Sequence, residues 1–122
     1  MHETTITVCN TCRRIAGGAP ETEAPWPGER MAAALEAQDL PDGVRLRQVS
    51  CFSACARGCV VALSGGSDHW TYVLGNLDPG VDAEKVVAGA VAYGRSDDGV
   101  VPWTESPAIL RTRTVARVPP QD

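Results

Sequence analysis

Several things are scarce or missing in this chain of 122 residues. No apolar run approaches the roughly 20 residues of a membrane-spanning helix, so no membrane partner is expected. The opening Met1-His2-Glu3-Thr4-Thr5 has no basic stretch leading into an apolar one. A signal peptide is therefore not expected, which places the chain in the cytoplasm. Basic residues, ten Arg and a single Lys, are outnumbered by fifteen Asp and Glu, giving a net charge of −4. Nothing in that balance would displace counterions from phosphate, which excludes nucleic acid as a partner. The carboxylates are dispersed, and no pair of them is spaced for general acid–base work. A phosphate-cradling glycine loop, an activated Ser or His, and an internal repeat are all missing. The chain does not read as an enzyme.

What remains is 43% hydrophobic and 21% charged, a composition of soluble globular proteins. The length fits one domain with a real core, since roughly two-thirds of the unfolded chain's surface is buried at this size. Such a core needs no staples, yet there are five cysteines. Five is odd, so complete internal disulfide pairing is impossible, and in a reducing compartment clustered cysteines are metal ligands or redox thiols. They form two tight groups. Cys9-Asn10-Thr11-Cys12 is a C-x2-C, and Cys51-Phe52-Ser53-Ala54-Cys55-Ala56-Arg57-Gly58-Cys59 is a C-x3-C-x3-C, with 38 residues between the groups.

The β-branched run at residues 4–8 predicts a strand that ends at the first cysteine. Residues 17–28 carry three Pro and three Gly and predict a loop. A helix follows over 29–38, where Met31 and Leu35 share a face and strong helix formers dominate. Residues 44–49 alternate and lead straight into the second cysteine group. Residues 59–63 read as an interior strand, 65–68 as a turn and 69–74 as its returning hairpin partner. Asp82 is expected to cap a second helix over 83–93, ending at Gly94. The order is β-α-β-β-β-α. It predicts an α/β, thioredoxin-like fold with about four strands in a mixed sheet, two helices and an irregular tail containing four Pro. Residues 1–94 would form the domain, and 95–122 an extension packed on it or at a dimer contact. If strands 4–8 and 44–49 are parallel neighbours joined by the first helix, both cysteine groups meet at one edge of the sheet, where ligand sites of open α/β sheets lie.

Three chemistries suit these thiols. Four cysteines, two from each group, could hold a [2Fe–2S] cluster. The small Ser53, Ala54, Ala56 and Gly58 would let backbone N–H groups approach its sulfurs, and Arg13, Arg14 and Arg57 would offset its negative charge. The same four sulfurs could hold structural zinc, although a chain this long does not need metal to fold. A dithiol at Cys9 and Cys12 would require a helix opening at the nucleophile. The sequence after Cys12 breaks up instead, and that reading leaves three cysteines unexplained. His2 and His69 have no Rieske-type spacing to a cysteine. His69 reads as the start of an exposed hairpin strand, and Trp26, Trp70 and Trp103 as packing residues.

Cys51 to Val61 resembles the second ligand loop of thioredoxin-like [2Fe–2S] ferredoxins, a C-x3-C with small residues between, a spacer and a β-branched strand. Cys51 and Cys55 match its two cysteines, and Cys9, after a strand ending in Val8, matches the first ligand. The whole chain is similar to a bacterial family of predicted metal-binding proteins. Shared features are the early C-x2-C, the C-x3-C-x3-C, Trp70-Thr71-Tyr72, Asp97-Asp98-Gly99-Val100-Val101 and Ala116-Arg117-Val118-Pro119. The ferredoxin resemblance implies a [2Fe–2S] electron carrier serving a redox enzyme and a homodimer, and the bacterial family implies a link to cobalamin biosynthesis. The alternative is a metal-binding or metal-delivery protein for Zn, Fe or Co. Those ferredoxins place their second ligand nearer the first helix, where this chain has none. Cys12 is the natural substitute, so the expected ligands are Cys9, Cys12, Cys51 and Cys55. Cys59 is then a reserve ligand or a buried thiol.

Overall fold

The β-branched run near the N-terminus forms strand β1, Thr4–Cys9, in the computed structural model, which describes residues 3–16, 18–50, 58–66 and 68–120. Helix α1, Pro27–Glu36, follows and leads to strand β2, Val44–Val49. The helix begins two residues before its expected start. Pro27 lacks the N–H that a first helical turn leaves unpaired, and its fixed φ already suits a helix. Strands β3, Val61–Ser64, and β4, Thr71–Leu74, form the expected hairpin, and helix α2 spans Ala83–Gly94. Asp82 stands at the N-cap position of α2 without capping it. Its carboxylate instead accepts the N–H of Asp78 at 2.8 Å, bracing the loop before the helix.

The tail is not irregular. It holds a 3-10 turn at Trp103–Glu105, helix α3 at Ala108–Arg113 and strand β5 at Thr114–Val118. Its prolines stand at element boundaries rather than inside them. Pro102 precedes the 3-10 turn, Pro107 precedes α3, and Pro119 follows β5. Proline at those positions ends or opens regular elements, so its frequency does not make the tail irregular. The sheet therefore has five strands, in the order β2-β1-β3-β4-β5. β1 and β2 are parallel, with Cys9 opposite Val49, and every other neighbouring pair is antiparallel. The fold class is the mixed α/β one expected from the order of elements.

Alternation along the strands sends Ile6 and Val8, Val61 and Leu63, and Tyr72 and Leu74 to one face. There they meet Met31 and Leu35 of α1 and Val86, Ala90 and Tyr93 of α2 in a single core. Ile109 and Leu110 of α3 extend that core over β4. Each buried Leu or Ile in such a layer contributes on the order of 1.5–3 kcal/mol from burial. A second, small cluster of Cys9, Cys12 and Val60, with Val73 against it, is separate from that core. His69 is buried, contrary to its expected exposure, because β4 begins only at Thr71 and His69 packs beside the Tyr93 ring. Among the described residues, no helix is long and apolar enough to cross a membrane.

Tyr93 is fully buried and donates its hydroxyl hydrogen to the Trp70 carbonyl, tying α2 to the start of β4. Burial raises its pKa from 10.0 to about 12. The unfolded chain therefore gives up this proton first, so Tyr93 contributes stability fully below pH 10 and loses it progressively toward pH 12. Tyr93→Phe is expected to cost about 1 kcal/mol at neutral pH through the lost hydrogen bond. It should also flatten the alkaline fall in stability. Urea unfolding at a series of pH values checks both, and an unchanged alkaline slope would contradict the assignment.

Candidate metal centre

Cys9 is the last residue of β1, and the chain turns there into the loop that carries Cys12. Two hydrogen bonds fix this turn: the Cys9 N–H reaches the Val60 carbonyl at 3.1 Å, and the Asn10 N–H reaches Val49 at 2.9 Å. Helix α1 closes the loop from the other side. The Gly28 N–H, one of the first-turn donors that a helix leaves unpaired, donates to the Cys12 carbonyl at 2.9 Å. A Cβ on Gly28 would stand 2.5 Å from the Cys9 carbonyl oxygen and 2.7 Å from the Cys12 nitrogen. Only glycine allows the helix to approach the cysteine loop this closely. Its positive end consequently faces a place where thiolates would form.

The thiols themselves are buried. Cys12 and Cys9 are linked by a side-chain hydrogen bond, which with burial pushes the Cys12 pKa up. The Val60 N–H donates to the Cys12 sulfur and pulls the other way, already supplying one backbone N–H to a sulfur. Cys9 Sγ lies 3.6 Å from Thr11 Oγ1 and 3.7 Å from the Ser50 carbonyl, and Thr11 Oγ1 donates to that same carbonyl. At Gly58 an added Cβ would meet Cys12 Cβ at 3.1 Å and Cys12 Sγ at 3.3 Å. Ser50 and Gly58 thus both border the Cys9–Cys12 loop. The expected ligands Cys51 and Cys55, with Arg57, lie outside the described residues. Among the described residues, no three His, Cys, Asp or Glu side chains converge on one point. A four-thiolate centre would have to draw on the segment between Ser50 and Gly58.

Cys59 differs from the other two described thiols. It belongs to the helix-side core rather than to the cluster of Cys9 and Cys12. Its backbone exchanges two hydrogen bonds with Leu77, both 3.3 Å, and its thiol donates to the Arg14 carbonyl at 3.5 Å. Burial pushes its pKa up to about 12 against the opposing pull of the Arg30 guanidinium. Arg30 escaped the sequence reading, which sought cations only beside cysteines; it sits one turn into α1, held by both carboxylate oxygens of Glu21 at 3.1 Å. The flanking arginines have other contacts. Arg13 stacks over Trp26 at 4.4 Å, and Arg14 donates to the Gly18 carbonyl at 2.8 Å. Gly28 was missed as well. Its close approach leaves no mark in the sequence beyond Pro27-Gly28 before a helix.

The comparisons agree with this architecture. Residues 6–120 match the family model described as Protein of unknown function (DUF1636). The chain belongs to that family. No curated protein matches the sequence. Two solved structures are similar, both of thioredoxin-like [2Fe–2S] ferredoxins from Aquifex aeolicus. The wild-type form at 1.5 Å resolution is 17% identical, with a TM-score of 0.60 over 95% of this chain and 99% of that one. The other is 18% identical, with a TM-score of 0.57 over 100% of this chain and 99% of that one. The family member described here therefore has a thioredoxin-like fold, as the order of its elements and its resemblance implied.

Replacing Gly28 tests the closure of the loop. Gly28→Ala should force α1 and the Cys9–Cys12 turn apart and destabilise the protein by about 1–3 kcal/mol in urea unfolding. An unchanged midpoint would mean that the helix does not close on the loop as described.

Proposed function

We propose that this protein is a [2Fe–2S] electron carrier whose cluster is held by Cys9, Cys12, Cys51 and Cys55. The observation that carries the reading is that Ser50 and Gly58, which bracket Cys51 and Cys55 in sequence, both border the Cys9–Cys12 loop. The donor set is thiolate only, which suits iron–sulfur chemistry. Glycine at position 58 keeps a Cβ away from the Cys12 sulfur, glycine at position 28 lets α1 close on the Cys9 and Cys12 backbone, and the Val60 N–H is aimed at the Cys12 sulfur. When bound, the cluster supplies one-electron chemistry. The chain's own part is to hold four thiolates, offer N–H groups to them and surround them with buried, small residues. Cys59 is left out of the ligand set, since it packs in the opposite cluster with its thiol on the Arg14 carbonyl.

The shared fold with two solved ferredoxins supports the same class. On this reading the protein is no enzyme but a cytoplasmic partner of a larger redox enzyme. The resemblance to the bacterial family extends the proposal to a step of cobalamin biosynthesis, and the resemblance to the ferredoxins extends it to a homodimer.

Anaerobic purification tests the proposal. The protein should be red-brown, contain iron and sulfide in equal amounts, bleach with dithionite and give an EPR signal when reduced. A colourless protein with stoichiometric zinc would overturn it in favour of a non-redox metal site. Within the cluster reading, Cys9→Ser, Cys12→Ser and Cys55→Ser should abolish or distort the visible spectrum, while Cys59→Ser should leave it intact. Loss of colour in the Cys59 variant would reassign the fourth ligand.

A further inference from the structure

Away from the cysteines, the chain's charge is unevenly distributed. The protein carries −4 overall, yet residues 106–120 contain three Arg and no carboxylate. Arg113 is committed to the buried Asp82, 4.0 Å away. Arg111 and Arg117 are different, although Arg111 gives one N–H to the Ser106 carbonyl. Each lies 5.5 Å from a tryptophan ring, Trp103 and Trp70 respectively, and among the described residues neither has a carboxylate within ion-pair distance.

Both arginines line one groove of about 410 Å³ on the helix side of β4 and β5. Its walls include buried Tyr72, Val101 and Leu110 and the exposed Trp103. The register opposes Arg117 to Tyr72, so their side chains share this face. The groove is rich in donors. The Tyr72 hydroxyl accepts the Val101 N–H at 3.1 Å, which leaves its own hydrogen to give. With two guanidiniums beside it, the complementary group is a carboxylate. Beside the groove runs the outer edge of β5, the terminal strand, which pairs with no further strand among the described residues. Val115 and Val118 are exposed on β5, at 42% and 48%, and Trp103 is exposed in the groove wall, at 73%. An open strand edge of this kind is a template for an added strand.

We infer that β5 and its groove dock an extended acidic segment of a partner protein, which adds as a strand to β5 and sets a carboxylate between Arg111 and Arg117. Alternation in the added strand would turn every second side chain into the groove, so acidic and apolar residues would alternate in it. Docking at β5 needs no bound cluster.

The probe is a capped octapeptide alternating Glu and Val, titrated into the full-length 15N-labelled protein, with the alternating Lys and Val peptide as control. The Glu peptide should shift the amide signals of residues 114–118 and weaken as salt rises from about 50 to 500 mM, where screening shortens to a few Å. Arg111→Gln with Arg117→Gln should reduce its affinity by about 10-fold or more. Arg45→Gln with Arg47→Gln, on the opposite edge strand, should leave it unchanged. Arg117→Glu should favour the Lys peptide. Equal binding of both peptides, no binding at about millimolar peptide, or full affinity in the double Arg111/Arg117 variant would overturn the inference. So would glutarate binding as tightly as the peptide, which would make the groove a small-anion site. Self-association lost with the same double variant would assign the edge to a second copy of this chain.

Discussion

The close approach of α1 to the Cys9–Cys12 loop is the constraint on which the rest of the site depends. A helix that joins two parallel strands must return along the sheet, and here its first turn lands on the turn that leaves β1. Gly28 makes that landing possible because its missing side chain would otherwise overlap the Cys9 and Cys12 backbone. The Gly28 N–H then holds the Cys12 carbonyl, fixing the loop to the helix. With the loop fixed, β2 runs parallel to β1 and ends level with Cys9, so the chain enters its second cysteine group at Ser50 beside the first. A single backbone contact thus links the βαβ unit to the geometry of the thiols.

The cysteines are sorted by environment as well as by spacing. Cys9 and Cys12 share a small cluster with Val60, while Cys59 joins the main core. The same strand approach produces both outcomes: Val60 meets the first pair, and Cys59, one residue earlier, is turned toward Leu77. Alternation of successive side chains is enough to part them. The pKa is raised in both, by the Cys9 hydrogen bond and burial at Cys12 and by burial at Cys59, so what parts them is the immediate partner: the Val60 N–H faces the Cys12 sulfur, and the Arg14 carbonyl takes the Cys59 thiol. Arg30, fixed by Glu21, adds a positive charge near Cys59 without overcoming its burial.

The C-terminal segment completes the molecule in two ways. β5 extends the sheet beyond β4, and Ile109 and Leu110 close the core beside α2. Its arginines meanwhile gather positive charge at the end of the sheet in a chain that is acidic overall. Cation–π stacking on Trp70 and Trp103 holds two of them near the groove. The tryptophans are therefore less engaged in packing than their size implied, and Trp103 is the extreme case.

Much of the fold was legible because its signals are local. β-branched runs, alternation and i, i+4 spacing reflect strand and helix periodicity, and β1, β2, β4 and both long helices followed them to within a few residues. The cysteine spacing and the ferredoxin resemblance likewise stood in the sequence. Three features depended on non-local contacts instead. β5 has an exposed, weakly patterned sequence and is a strand because β4 offers it an edge. His69 is buried because the strand after it starts late, and Gly28 matters because of what the loop from β1 places opposite it. The sequence by itself determined which side chains are thiols and how they are spaced, since both are matters of residue type and order. Tertiary structure alone decided which thiols stand together, since that depends on strand register, on the face each side chain takes and on the room left by a missing Cβ.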